Sequence, residues 1–164
     1  MNYHKLFFAL IFFLMTLWYS CTPYQMSQKN FLSQNIDFLI VKGNDYWEKR
    51  ADAEHAVWAR NFLLKAHQLR PQDQETGLLY SRSCFFEGKY IEQNKLKRDS
   101  LFMEGALTAL SIVLNIDPKE INSETILSPG DGQHLLVKKI ENLNELSLPA
   151  LYMFGMNLGE FIFP

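Results

Sequence analysis

The chain has 164 residues, of which 48% are hydrophobic and 21% charged, and its formal net charge is −2. This length suits a single hydrophobic core, and the composition excludes an intrinsically disordered chain. The near-neutral charge argues against a nucleic-acid partner, since residues 95–98 form the only dense basic run and Asp99 follows it at once. We therefore expect one folded domain.

The N-terminus has the features of an export signal. His4 and Lys5 precede an uncharged apolar stretch, residues 6–20, which ends at Cys21. The stretch is short for a membrane-spanning helix, which needs roughly 20 apolar residues. We predict that residues 1–20 are a signal peptide.

The cysteine after this stretch suggests a lipid anchor. Bacterial lipoprotein signals end in an aliphatic residue, two small residues and a cysteine that becomes acylated. Leu17 and Ser20 fit that pattern, whereas Trp18 and Tyr19 are bulkier than usual. We expect lipidation at Cys21 and attachment to the periplasmic side of a bacterial membrane. An uncleaved membrane anchor and ordinary signal cleavage are the alternatives.

A polar segment follows the cysteine. Residues 21–30 offer little to bury and are predicted to form a lipidated, flexible spacer. Residues 31–164 are then the folded domain. Its first helix is expected from residue 31 and should stop at Gly43 and Asn44.

Asp45 is predicted to cap the second helix, which should end before Pro71. Its expected buried face consists of apolar residues at helical spacing: Trp47, Ala51, Trp58, Phe62, Ala66 and Leu69.

The third helix is predicted from Asp73 to Tyr90, and the fourth from Asp99 to about Asp117. The third carries a stripe of small residues that would let a neighbouring helix approach closely: Gly77, Ser81, Cys84 and Gly88. The inward residues of the fourth should be Phe102, Ala106, Leu110 and Val113.

The C-terminal part is predicted to contain a loop and two further helices. Residues 119–133 are rich in turn formers, and a helix is expected over residues 134–143. Ser147 should cap the last helix, which is apolar on nearly every side. Asn157 and Glu160 would be costly in hydrocarbon, so we expect this helix to be buried in protein.

The sequence contains no pattern typical of catalysis. The histidines do not pair at metal-ligand spacing, and there is no phosphate-binding loop or nucleophile elbow. Cys84 lies in a helical pattern that suits a buried packing residue. We expect no metal, no cofactor and no enzymatic activity.

The sequence also contains an ordered series of residues: residues 46–52, Ala59, Ala66, Pro71, residues 79–86, residues 105–107, residues 149–152 and residues 157–159. Ala59, Leu63, Ala66 and Pro71 also have the spacing of the second helix of a tetratricopeptide unit, although the first half of that unit fits badly. Taken together, the ordered series resembles the T component of TRAP (tripartite ATP-independent periplasmic) transporters.

The resemblance implies an all-α protein of tetratricopeptide-like stacked helical hairpins behind a lipoprotein signal. It also implies a periplasmic scaffold that associates with a solute-binding protein. A general adaptor in cell-envelope assembly is the alternative. The helix-packing positions that match are Trp47, Ala59, Ala66, Ser81, Cys84, Phe86 and Gly105.

The resemblance implies a second helical half beginning about where Pro164 stands, so we expect a shortened or split member of the family. A shortened or split member would leave the last helix with an uncovered apolar face. We expect a partner protein, a second copy of the chain or the missing half to cover it. The residues of that surface would be Tyr152, Phe154, Phe161 and Phe163.

Overall fold

The computed structural model describes residues 22–121, Glu124, Glu145 and residues 147–163, with side chains described from residue 35 onward. All regular structure in these residues is helical, which confirms the all-α class. The chain divides into two compact units, Met1–Asp37 and Phe38–Pro164.

Helix α1 spans Thr22–Trp47, so the flexible spacer predicted over residues 22–30 is wrong for the described backbone. Pro23 lies in the first turn, where its missing N–H is tolerated, and residues 24–30 contain neither Gly nor Pro. The predicted stop at Gly43 is also wrong. A Cβ atom at Gly43 would lie 2.8 Å from Cγ of Leu63, so glycine here permits close helix packing.

Helix α2 spans Ala53–Leu69 and ends before Pro71, as predicted. Its N-cap is Asp52, which accepts a hydrogen bond from the backbone N–H of Glu54 at 2.8 Å, and the predicted cap Asp45 lies inside α1. The expected buried face is wrong in part, because Ala51 is exposed and Trp58 and Leu69 are 37% and 49% exposed. The buried positions of α2 are Ala56, Ala59, Leu63, Ala66 and His67.

Helix α3 spans Gln74–Tyr90 behind the predicted cap Asp73. Helix α4 spans Lys95–Leu114, and its N-cap is Asn94 where Asp99 was expected. Asn94 Oδ1 accepts from the N–H of Lys97 at 3.2 Å, so the basic run forms the first turn of α4. The predicted inward residues of α4 are all buried: Phe102, Ala106, Leu110 and Val113.

The small-residue stripe of α3 packs against a neighbouring helix, α4, as the prediction of a close helix contact requires. Cβ atoms at Gly77 and Gly88 would lie 3.2 Å from Ile112 Cδ1 and 2.8 Å from Phe102 Cε1, both on α4. Ser81 Oγ donates a hydrogen bond to the carbonyl oxygen of Gly105 at 2.8 Å. The absence of large side chains therefore brings α3 and α4 into close contact.

Helix α5 spans Ser147–Ile162 and packs on α4 and α3. The expected burial holds for one face of α5 only. Its buried positions are Ser147, Ala150, Met153 and Asn157. Large apolar side chains of the opposite face are exposed: Leu148 (63%), Tyr152 (65%) and Ile162 (47%).

Several predictions fall on other parts of the chain. The signal peptide, Cys21 and the helix over residues 134–143 lie outside the described residues. The loop predicted over residues 119–133 overlaps a short 3-10 helix, Pro118–Glu120, and most of the rest of that loop is also outside them.

Candidate binding groove

An open groove of about 560 Å³ is formed where the end of α1, the turn after it, α3 and α5 come together. We call it the Trp47 groove. Its volume is within the range of roughly 300 to 1,000 Å³ that is usual for ligand sites. The lining residues are Trp47, Arg50, Ala51, Arg82, Phe85, Phe86, Tyr90, Ile91 and Met153.

Trp47 lies at the centre of the aromatic contacts in this groove. Its ring meets Phe86 edge-on, with 5.5 Å between centroids, and Phe86 in turn lies 5.0 Å from Tyr90. Such edge contacts are favourable because the ring edge is positive and the face negative. The side chains of α3 therefore hold the indole in place.

Two arginine side chains lie against this indole. The guanidinium carbon of Arg50 is 4.6 Å from the Trp47 ring centroid, and that of Arg82 is 5.4 Å away. Arg50 also lies 5.8 Å from the Phe86 centroid. Each contact is within the distance at which a cation is attracted to an aromatic face.

Local structure fixes Arg50 in this position. Its Nη1 donates a hydrogen bond to the backbone carbonyl of Trp47 at 2.9 Å. The tight turns that follow α1 place residue 50 one helical turn beyond the indole, with the N–H of Arg50 itself bonded to the Trp47 carbonyl at 3.1 Å. Arg82 comes from the middle of α3 and is exposed.

The groove carries uncompensated positive charge. Among the described residues, no carboxylate lies within ion-pair distance of Arg50 or Arg82. Its described lining contains no Asp or Glu either. Two cations beside one indole repel each other, so an anion that enters the groove would be stabilised.

A buried polar network lies on the other side of α3. Arg60 Nε donates to Glu87 Oε2 at 2.6 Å, and the two side chains are 17% and 8% exposed. Burial acts to lower the pKa of Arg60, but the hydrogen bond and the charge of Glu87 outweigh it and raise the pKa. The Arg60 guanidinium therefore stays charged, and its contact with Glu87 joins α2 to α3.

Tyr80 and Cys84 extend this network. Tyr80 donates to Glu104 Oε2 at 2.7 Å, and burial raises the pKa of Tyr80, with smaller contributions from Cys84 and Glu104. Burial also raises the pKa of the Cys84 thiol to about 12. A thiol that is 0% exposed and protonated at neutral pH is a packing residue, not a nucleophile.

His67 is a further buried group, and its ring stacks on that of Tyr80 with 5.8 Å between centroids. Burial lowers the pKa of His67, although the charge of Asp73 acts in the opposite direction. In the described part of the chain, no set of three His, Cys, Asp or Glu side chains could hold a metal ion. None of the described helices has the length and apolar character needed to cross a bilayer.

The residues singled out in the sequence are distributed over two regions. Trp47 and Phe86 line the groove, whereas the other matched positions are buried at helix contacts: Ala59, Ala66, Ser81, Cys84 and Gly105. Of the expected partner surface, Tyr152 and Phe163 are exposed and Phe161 is half-buried. Phe154 packs against a core cluster of Leu110, Leu114 and Ile121 and is not part of an open surface.

Sequence reasoning missed Arg50 and Arg82. The spacing Trp47 to Arg50 and Arg82 to Phe86 is one helical turn in each case, which could have suggested paired cation and aromatic side chains. What the spacing could not show is that the two pairs meet at one indole, because residues 50 and 82 belong to different elements.

Comparisons with protein-family models, with curated proteins and with solved structures find no match to this chain.

Proposed function

We propose that this protein is a non-catalytic, lipid-anchored scaffold on the periplasmic side of a bacterial membrane, where it associates with a solute-binding protein of a TRAP-type uptake system. The observation that carries the binding role is the Trp47 groove, where two arginines that have no carboxylate partner among the described residues lie beside an indole. The ordered series of residues that resembles the T component supports the choice of partner.

The side chains of the groove suit a protein interface. Trp, Tyr and Arg are the residue types that contribute most binding free energy at protein interfaces, since each combines a large apolar area with a polar group. Tyr90 and Arg82 are exposed at the groove, with Tyr90 61% exposed, so a partner would remove much of their surface from water.

The chemistry of the groove supports a non-catalytic role. Its described lining offers no carboxylate, histidine, serine or cysteine, which are the usual sources of a general base or an activated nucleophile. Arginine and aromatic side chains are better suited to holding a ligand or partner.

The finer architecture belongs to the same proposal. We infer that α2, α3 and α4 form stacked hairpins of the tetratricopeptide type, because small residues are buried where successive helices pack closely. These residues are Ala59, Ala66, Ser81 and Gly105. In that architecture small residues admit the neighbouring helix, as Ser81 does beside Gly105.

The association is tested by isolating the full-length chain from membranes and identifying the proteins that cross-link to it in intact cells. We expect a solute-binding protein encoded beside a TRAP permease. A Trp47→Ala variant should retain much less of that protein, while Trp58→Ala, outside the groove, should retain as much as wild type.

Recovery of cell-wall assembly proteins in place of a solute-binding protein would contradict the proposal and favour an envelope adaptor. The identity of neighbouring genes gives an independent measurement. TRAP permease genes would agree with the proposed function, and cell-wall genes would disagree with it.

A further inference from the structure

The Trp47 groove carries two positive charges that have no carboxylate partner among the described residues. Arg50 and Arg82 approach one indole, and the described lining of the groove contains no acidic residue. An exposed cation can be satisfied by water. Two cations beside an apolar surface are stabilised further by a carboxylate, because Arg presents a planar fork that matches two carboxylate oxygens.

Some other cations of the described helices have carboxylate partners. Arg60 pairs with Glu87 at 2.6 Å, and Lys89 pairs with Glu160 at 2.7 Å. Lys89 comes from the same helix as Arg82, so a carboxylate partner can reach α3 from a neighbouring helix. Arg82 has no such partner among the described residues, and neither does Arg50, so this groove holds two cations without a carboxylate beside them.

We propose that the Trp47 groove docks an acidic segment of a partner protein, in which a carboxylate contacts Arg50 and Arg82 while a neighbouring large apolar side chain packs against Phe86 and Met153. The inference rests on the proposed function in taking the partner to be a protein. It adds the chemistry by which the partner is recognised.

Charge complementarity and shape argue for a peptide segment as the occupant. The groove is open to solvent, and Arg82 and Tyr90 at the groove are exposed. A small organic acid would leave these exposed side chains in contact with water. A chain segment can cover them and fill about 560 Å³ with an acidic and an apolar side chain together.

The test uses the full-length chain in nonionic detergent micelles and three fluorescein-labelled peptides that differ in one feature. The acidic peptide alternates Asp and Glu around a central Phe; the second replaces every acid with its amide, and the third replaces every acid with Lys. Fluorescence anisotropy measures binding. We expect the acidic peptide to bind roughly tenfold or more tightly than the amide peptide, and the lysine peptide to bind least.

Two substitutions in the groove should weaken the acidic peptide. Arg82→Gln removes an exposed charge without disturbing a buried group, and Arg50→Gln removes the second charge; each should lower affinity roughly tenfold. Arg98→Gln, on α4 and outside the groove lining, is the matched control and should leave affinity unchanged. Circular dichroism of each variant verifies that the helices are intact.

Charge reversal gives a gain of binding that misfolding cannot produce. Arg82→Glu should weaken the acidic peptide and strengthen the lysine peptide. The proposal is overturned if acidic and amide peptides bind alike, or if Arg98→Gln weakens binding as much as Arg82→Gln. It is also overturned if phenylpropionate binds in the groove while the acidic peptide does not, because the occupant would then be a small organic acid.

Failure of this inference is distinct from failure of the proposed function. If the solute-binding protein is retained equally by wild type and by the Arg50→Gln and Arg82→Gln variants, the acidic-segment proposal is wrong and the association stands. If the acidic peptide binds as expected and no solute-binding protein is recovered from cells, the choice of partner is wrong and the recognition chemistry stands.

Discussion

The backbone of Gly105 lies directly against the side chain of Asn157, so that a Cβ atom at residue 105 would be 2.7 Å from Cγ of Asn157. The amide nitrogen of Asn157 donates to the carbonyl oxygen of Met153 at 2.9 Å and to Ser81 Oγ at 3.3 Å. Three helices, α3, α4 and α5, meet at this point. Asn157 is 0% exposed, and its side-chain amide donates to residues of two of these helices, α3 and α5.

Gly105→Ala should destabilise the protein, because the new methyl group would overlap the Asn157 side chain and force α5 away from α4. Overpacking of this kind costs about 1 to 3 kcal/mol. Gly155→Ala is the matched control, since a Cβ atom there has no neighbour within 4 Å, and it should stabilise by about 0.5 to 1 kcal/mol through helix propensity. Urea titration followed by circular dichroism measures both. Equal midpoints for the two variants would show that α4 and α5 do not meet at residue 105.

Glu87→Gln should be strongly destabilising, because it leaves the Arg60 charge without its buried partner. Breaking a buried ion pair by removing one member costs about 3 kcal/mol or more. Lys89→Gln breaks the more exposed pair with Glu160 and should cost about 0 to 1 kcal/mol. Denaturant titrations compare the two losses, and a Glu87→Gln variant as stable as Lys89→Gln would contradict the buried pair.

Stability should fall on acidification in a way that depends on His67. Burial lowers its pKa in the folded state, while the unfolded chain takes up a proton near the ordinary pKa of about 6.5. Below that pH the unfolded state binds more protons than the folded state. The contribution of neutral His67 to the free energy of unfolding is therefore fully present above about pH 6.5 and is lost as pH falls.

His67→Phe keeps a ring beside Tyr80 but cannot titrate. The free energy of unfolding of this variant, measured from above pH 7 down to about pH 5.5, should fall less steeply than that of wild type. If both proteins lose stability in parallel, His67 is not responsible for the dependence.

Cys84 should be unreactive in the folded protein. Burial raises its pKa to about 12, and the side chain is 0% exposed, so a thiol reagent meets neither thiolate nor surface. In a Cys21→Ser variant, where Cys84 is the only thiol, Ellman's reagent should react slowly in buffer and completely in concentrated urea. Rapid reaction in buffer would show that the contact of α3 with its neighbours opens easily.

Lipidation at Cys21 is expected to place the chain on a membrane. Radioactive or alkyne-labelled fatty acid should be incorporated into wild type, and Cys21→Ala should lose both the label and membrane retention. Cys84→Ala is the control and should keep both. Label on the Cys21→Ala variant would contradict a lipoprotein signal.

Local sequence features determined much of the helical framework. Asp73 begins α3 because its side chain accepts from the N–H of Thr76, a contact between residues three apart. Pro71 follows the end of α2 because it lacks the N–H that a helix needs. The inward positions of α4 also followed from helical spacing. Each of these depends on residues within one or two turns, so the sequence contains the information.

Tertiary contacts decided the rest. Gly43 continues a helix, not a turn, because it packs against Leu63, and spacing along the chain cannot show which residue lies opposite. Helix α5 is apolar nearly all round, but only the neighbouring helices decide that Asn157 is buried and Tyr152 exposed. The meeting of Arg50 and Arg82 at Trp47 has the same origin. Charges 32 positions apart in the sequence become neighbours only when α3 packs beside the end of α1.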